Sequence, residues 1–114
     1  MSYMIEGGGS KTFAKAKAWL YKWPEASHKL MRILTDVLVI YLDAQVKAGA
    51  QLLQVFDSWA GELSPHAFRT FALPYLKEIA ATTKQKHPQV RYLSSTSFKF
   101  THPFYFKGSF DHLC

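Results

Sequence analysis

The chain has 114 residues, room for one small domain and well short of the roughly 250 residues of a closed (β/α)8 barrel. Hydrophobic residues make up 48% and charged residues 19% of it, which excludes a disordered tail and supplies material for a core. The net charge of +6 comes from scattered lysines, among them Lys11, Lys15, Lys17, Lys22, Lys77, Lys84 and Lys86. They form no basic stripe, so no nucleic-acid partner is expected, only a mild attraction for polyanionic small molecules.

Cys114 is the only cysteine, so no intrachain disulfide can form. The first nine residues lack the basic and apolar regions of a secretory signal. The most apolar internal stretch, residues 37–42, is closed by Asp36 and Asp43 and is far too short to cross a bilayer. No membrane partner is expected.

Residues 3–9 end in a glycine triplet and read as a tight loop that leaves a buried segment. Ser10 or Thr12 is placed to cap a helix over residues 13–21. Trp23-Pro24 ends that helix and opens the next, predicted over Pro24–Lys47. Leu30, Ile33, Leu34, Val37, Leu38, Tyr41 and Val46 recur along it at three- and four-residue spacing. Val39, Ile40 and Leu42 widen that stripe. Gly49 is a stop signal.

Residues 50–56 are apolar at odd and even positions, as in a parallel strand buried on both faces. Ser64-Pro65 is an N-cap followed by proline at the first helical position. The helix it opens is kinked or divided at Pro74 and closes at His87-Pro88. Beyond Val90 the texture changes: Tyr92, Phe98, Phe100, Phe104, Tyr105, Phe106 and Phe110 are strewn among polar residues without a motif. Residues 91–114 are expected to be an irregular tail.

The glycine run invites a phosphate-loop reading, but Ser10 separates Gly9 from Lys11, and the dinucleotide spacing is also absent. The five histidines make no metal set, and His28 and His66 read as helix-surface or early-turn residues. Neither a metal nor an organic cofactor is expected. Phe56-Asp57-Ser58-Trp59 is the best candidate site. At the C-terminal end of a barrel strand these residues would face the active site. There Phe56 can pack on a flat ring, Ser58 can bond a carboxylate and Asp57 can act as a base. The plainer reading puts Phe56 in the core and lets Asp57 and Ser58 turn the chain; the residues alone leave both open.

Residues 3–90 resemble the uroporphyrinogen decarboxylase family. The resemblance is carried by Tyr3-Met4-Ile5-Glu6-Gly7-Gly8-Gly9-Ser10, Ala16-Lys17-Ala18-Trp19-Leu20-Tyr21, Ala26-Ser27-His28-Lys29-Leu30, Gln45-Val46-Lys47-Ala48-Gly49-Ala50-Gln51, Phe56-Asp57-Ser58-Trp59-Ala60-Gly61 and Leu73-Pro74-Tyr75. It implies an α/β fold, a mostly helical slice of a (β/α)8 TIM barrel with about one buried parallel strand. It implies decarboxylation of the four acetate side chains of uroporphyrinogen to give coproporphyrinogen, a carboxy-lyase step of haem biosynthesis. The family acts as a homodimer without metal or organic cofactor, in the cytoplasm, or in the plastid of plants. By resemblance Tyr3 lies in the cleft near the reacting ring, Ser58 hydrogen-bonds the substrate and Phe56 lines the pocket. No catalytic residue carries over: the family's N-terminal arginines, its pyrrole-gathering aspartate and its C-terminal histidine have no counterpart in these residues. The break in resemblance at Val90 implies a truncated product with a tail of translated non-coding sequence, inactive alone. The alternative is a non-catalytic fragment that associates with full-length subunits or binds porphyrin weakly.

Overall fold

The computed structural model describes residues 1–7, 13–57 and 60–96. In chain order these form helices α1 (Ser2–Glu6), α2 (Ala14–Lys22) and α3 (Pro24–Lys47), strand β1 (Leu52–Asp57), a 3-10 turn (Ala60–Glu62), helices α4 (Pro65–Phe71) and α5 (Leu73–Lys86), and strand β2 (Arg91–Thr96). The two strands pair in parallel, Leu52 with Arg91 through Asp57 with Thr96. Parallel neighbours need a long crossover, and α4 with α5 supplies it.

The helices start and stop where local chemistry directs. Ser64 accepts a hydrogen bond from the Ala67 N–H at 3.2 Å, with Pro65 beside it. Pro74 has no N–H to donate, so the chain breaks at Ala72 and restarts as α5. The predicted span of α3 is borne out residue for residue. Ser10 and Thr12, the expected caps of α2, lie outside the described residues. The cap position is held by Phe13 at φ 49°, with no side-chain cap bond. The buried Glu6 carboxylate accepts from the Ala16 N–H at 3.1 Å instead, bringing an anion to the helix's positive end.

The core lies between the sheet, α3 and α5. Leu42, Leu53, Ile79, Ala80, Val90 and Tyr92 are buried together, with Val39, Val46, Ala50 and Val55 packed around them. His28, expected on the surface, is half-buried between α3 and α5. Its ring stacks on Phe71 at 4.9 Å between centroids and its Nδ1 lies 2.6 Å from the Tyr75 hydroxyl. One turn on, a guanidinium nitrogen of Arg32 donates to both carboxylate oxygens of Glu78. His66 is exposed, as expected.

Three expectations need correction. The segment before the glycines is not a loop: Ser2–Glu6 is a short helix ended by Gly7 at φ 68°. Without a strand partner its backbone bonds locally, Ile5 N–H to Met1 O and Gly7 N–H to Tyr3 O. The second concerns β1, which is covered on one face. Leu53 is 2% exposed, whereas Leu52 and Phe56 are 51% and 66% exposed. The helices form a single layer over the Leu53–Tyr92 side, and among the described residues nothing lies over the other. The third concerns the tail: β2, Arg91–Thr96, lies within the stretch expected to be irregular. Tyr92 sinks into the core opposite Leu53, and that non-local pairing orders a segment whose own Ser-Ser-Thr composition does not. Phe98, Phe100 and the rest of the tail lie outside the described residues.

Candidate functional site

The C-terminal end of β1 is where the sequence candidates meet. Along the strand the side chains alternate: Leu53 and Val55 point toward the helices, Leu52, Gln54 and Phe56 away from them. On the neighbouring strand Leu93 continues the outward face at 47% exposure. The open face therefore carries a shallow apolar surface, Leu52, Leu93 and Phe56, with Gln54 and Arg91 exposed beside it. Phe56 stands at its top, where a flat ring system can lie against the phenyl face. Of the two readings of Phe56, the structure excludes the core one. Ser58, with Trp59, lies outside the described residues.

Behind this end of the strand is a cavity of about 220 Å3 between β1, α2, α3 and the α4–α5 corner. Its lining is mostly apolar, Leu20, Leu38, Val55 and Tyr75 among it, with Asp57, Lys17 and Glu62 as charged groups. Lys17 and Glu62 stand 3.7 Å apart as an ion pair. The cavity is smaller than the roughly 300–1,000 Å3 of most small-molecule sites. A tetrapyrrole with carboxylates around its rim does not fit it, which leaves the open sheet face as the surface large enough for such a ligand.

Tyr3 is brought only to the neighbourhood. Met1 and Ser2 line the same cavity as Phe56 and Asp57, so α1 sits against the end of β1. Tyr3 itself is 65% exposed and makes an edge contact with Phe13 at 6.0 Å. The structure thus gathers Phe56 and Asp57 in one place and leaves the Tyr3 side chain outside it.

A second polar cluster was missed by sequence reading. At the far end of α3, Asp43 Oδ1 lies 2.7 Å from His87 Nε2, and Asp43 Oδ2 lies 2.7 Å from Lys47 Nζ. Hydrogen bonds from Lys47 first and His87 second hold the Asp43 carboxyl down to about 2. The Asp43–Lys47 spacing of four was legible on a helix; the link to His87, 44 residues away, was not. This cluster lies at the opposite end of the domain from Phe56 and ties α3 to the close of α5. The Tyr92 hydroxyl is buried without a hydrogen-bond partner, and burial pushes it up to about 12. Among the described residues no three His, Cys, Asp or Glu side chains converge to hold a metal ion. Nor is any described helix long and apolar enough to cross a membrane.

Comparison with known proteins bears on these residues directly. A family model, uroporphyrinogen decarboxylase (URO-D), matches residues 1–98, so the match takes in β2 as well. The chain is 68% identical over 85 residues to the uroporphyrinogen decarboxylase of Schizosaccharomyces pombe, covering 75% of this chain and 24% of that protein. It is 60% identical over 90 residues to that of Salinibacter ruber, covering 79% and 25%. It is 59% identical over 86 residues to that of Homo sapiens, covering 75% and 23%. The chain spans about a quarter of the length of these curated relatives.

Proposed function

The chain belongs to the uroporphyrinogen decarboxylase family, and on that premise we propose that residues 1–98 are a slice of a (β/α)8 barrel that decarboxylates uroporphyrinogen to coproporphyrinogen. The observation that carries this is the family match falling on a parallel β-α-β unit whose open sheet face ends at Phe56. A parallel sheet is almost always covered on both faces. In a closed barrel the bare face of β1 and β2 would look inward, and its C-terminal rim would look onto the active site. The family match supports ending the slice near residue 98 rather than at Val90.

In this reading Phe56 packs on a pyrrole face, Ser58 donates a hydrogen bond to a substrate carboxylate and Tyr3 stands near the reacting ring. The reaction needs a proton on the pyrrole carbon and an exit for the electrons left when carbon dioxide departs. The pyrrole ring supplies that exit, so the protein's task is to position the acetates and stabilise developing charge. No metal or organic cofactor is required, and the substrate-bearing barrel pairs as a homodimer in the cytoplasm, or in a plastid if the source is a plant.

The described residues contain no convergent set of charged side chains over the open face, so the 114 residues alone are expected not to turn over substrate. The alternative, a non-catalytic fragment that associates with full-length subunits or binds porphyrin weakly, is favoured by the uncovered sheet face. The test is to graft residues 1–98 in place of the matching segment of a full-length relative. Phe56→Ala and Ser58→Ala in the graft are each expected to lower kcat/KM about tenfold, the size of one lost substrate contact. Unchanged kcat/KM in both variants would remove these residues from the site.

A further inference from the structure

We propose that the outer face of α3 is a self-association surface, through which two copies of this chain pair with their α3 helices antiparallel. The proposal goes beyond the decarboxylase reading and stands on the surface of α3 alone. A surface helix ordinarily has one apolar stripe, facing the core. α3 has two. The first buries Leu42 and packs Val39 and Val46 against the core. At 100° per residue the second lies on the opposite side: Ala26, Leu30, Ile33, Val37, Ile40, Tyr41 and Ala44. Its large members are exposed, Ile33 at 51%, Val37 at 57%, Ile40 at 67% and Tyr41 at 59%. No charged residue interrupts it.

Area and charge point to a second copy as the occupant. The large side chains of the stripe expose on the order of 500 Å2 in one copy, as large as the biggest patches on monomeric proteins. Two copies together bring about 1,000 Å2, close to the roughly 1,200 Å2 at which stable interfaces begin. The stripe is also complementary to itself. A two-fold axis through Val37 sets Ile33 against Tyr41 and Leu30 against Ala44 of the other copy. Lys29, Asp36, Asp43 and Lys47 line one flank of the stripe, and the same axis meets that flank with itself. Lys29 of each copy then comes beside Asp43 of the other, an attractive pair made twice. Asp36 comes beside its own twin, a repulsion that tempers the affinity.

The test is sedimentation equilibrium of the full chain across a concentration series. A monomer–dimer equilibrium is expected. Val37→Glu should raise the dissociation constant at least about tenfold, because it places a charge at the centre of the contact. Asp36→Asn should tighten the dimer severalfold. Leu93→Glu, on the open sheet face, should leave it unchanged. As a second readout, Val37→Cys on a Cys114→Ser background should form an interchain disulfide under mild oxidant, and Lys77→Cys on the same background should not. The proposal is overturned if the chain is monomeric throughout, or if Leu93→Glu abolishes association while Val37→Glu does not. It is also overturned if the chain joins only a full-length relative and never itself, since the rest of the barrel would then be what covers α3.

Discussion

At the scale of single residues, what a side chain does here is set by which distant group reaches it. Tyr92 was legible as an aromatic in a polar stretch, but its buried, unpartnered hydroxyl is visible only in the fold. A buried hydroxyl with no partner costs about 1–3 kcal/mol. Tyr92→Phe removes that cost while keeping the ring, so it should stabilise the chain by about 1 kcal/mol in urea unfolding. Destabilisation would mean the hydroxyl is satisfied. Asp43 gives a prediction with a sign. Its folded carboxyl lies at about 2, against an ordinary 3.8. A group depressed on folding stabilises fully above its unfolded value and loses that stabilisation as pH falls. Its contribution should therefore be complete above about pH 5 and drain between about pH 4 and pH 2. Asp43→Asn should lower stability at neutral pH and flatten that acid limb in urea titrations. A limb of unchanged slope would assign the acid sensitivity to other groups.

At the scale of elements, the sequence was most informative where structure is local. Ser64 with Pro65, Pro74 and the Trp23-Pro24 boundary act through their own backbone geometry, and each marks an element end as expected. Where structure is non-local, reading failed in two ways. Residues 2–6 became helix because no neighbouring strand takes up their backbone groups. β2 was taken for irregular tail because its order comes from β1, some forty residues earlier in the chain. The candidate site divides in the same way. Phe56 was found from its position at a strand end, yet its exposure depends on a missing second layer. The inward side of the same strand yields the element-scale prediction. Leu53 is 2% exposed at the centre of the main core, so Leu53→Ala should cost about 2–5 kcal/mol. Leu52→Ala, one residue away on the open face, should cost far less. Equal losses would show that the open face is covered in solution.

At the scale of the whole molecule, the chain is a single helical layer against one face of a short parallel sheet. Two of its apolar surfaces remain bare: the open face of β1 and β2, and the outer stripe of α3. Burial is the dominant favourable term in folding, and a parallel sheet left open forgoes part of it. A family-length barrel closes the sheet face and places Phe56 at the rim of the site, which accounts for apolar residues on a surface that water otherwise meets. The family match over residues 1–98 and the bare face are thus two views of one arrangement. The most direct test is to replace the matching segment of a full-length relative with residues 1–98 and to separate the reaction products by carboxyl number. The graft is expected to convert the eight-carboxylate substrate to the four-carboxylate product, while the 114-residue chain alone does not. A graft that folds as a barrel yet leaves the substrate at eight carboxylates would contradict the account.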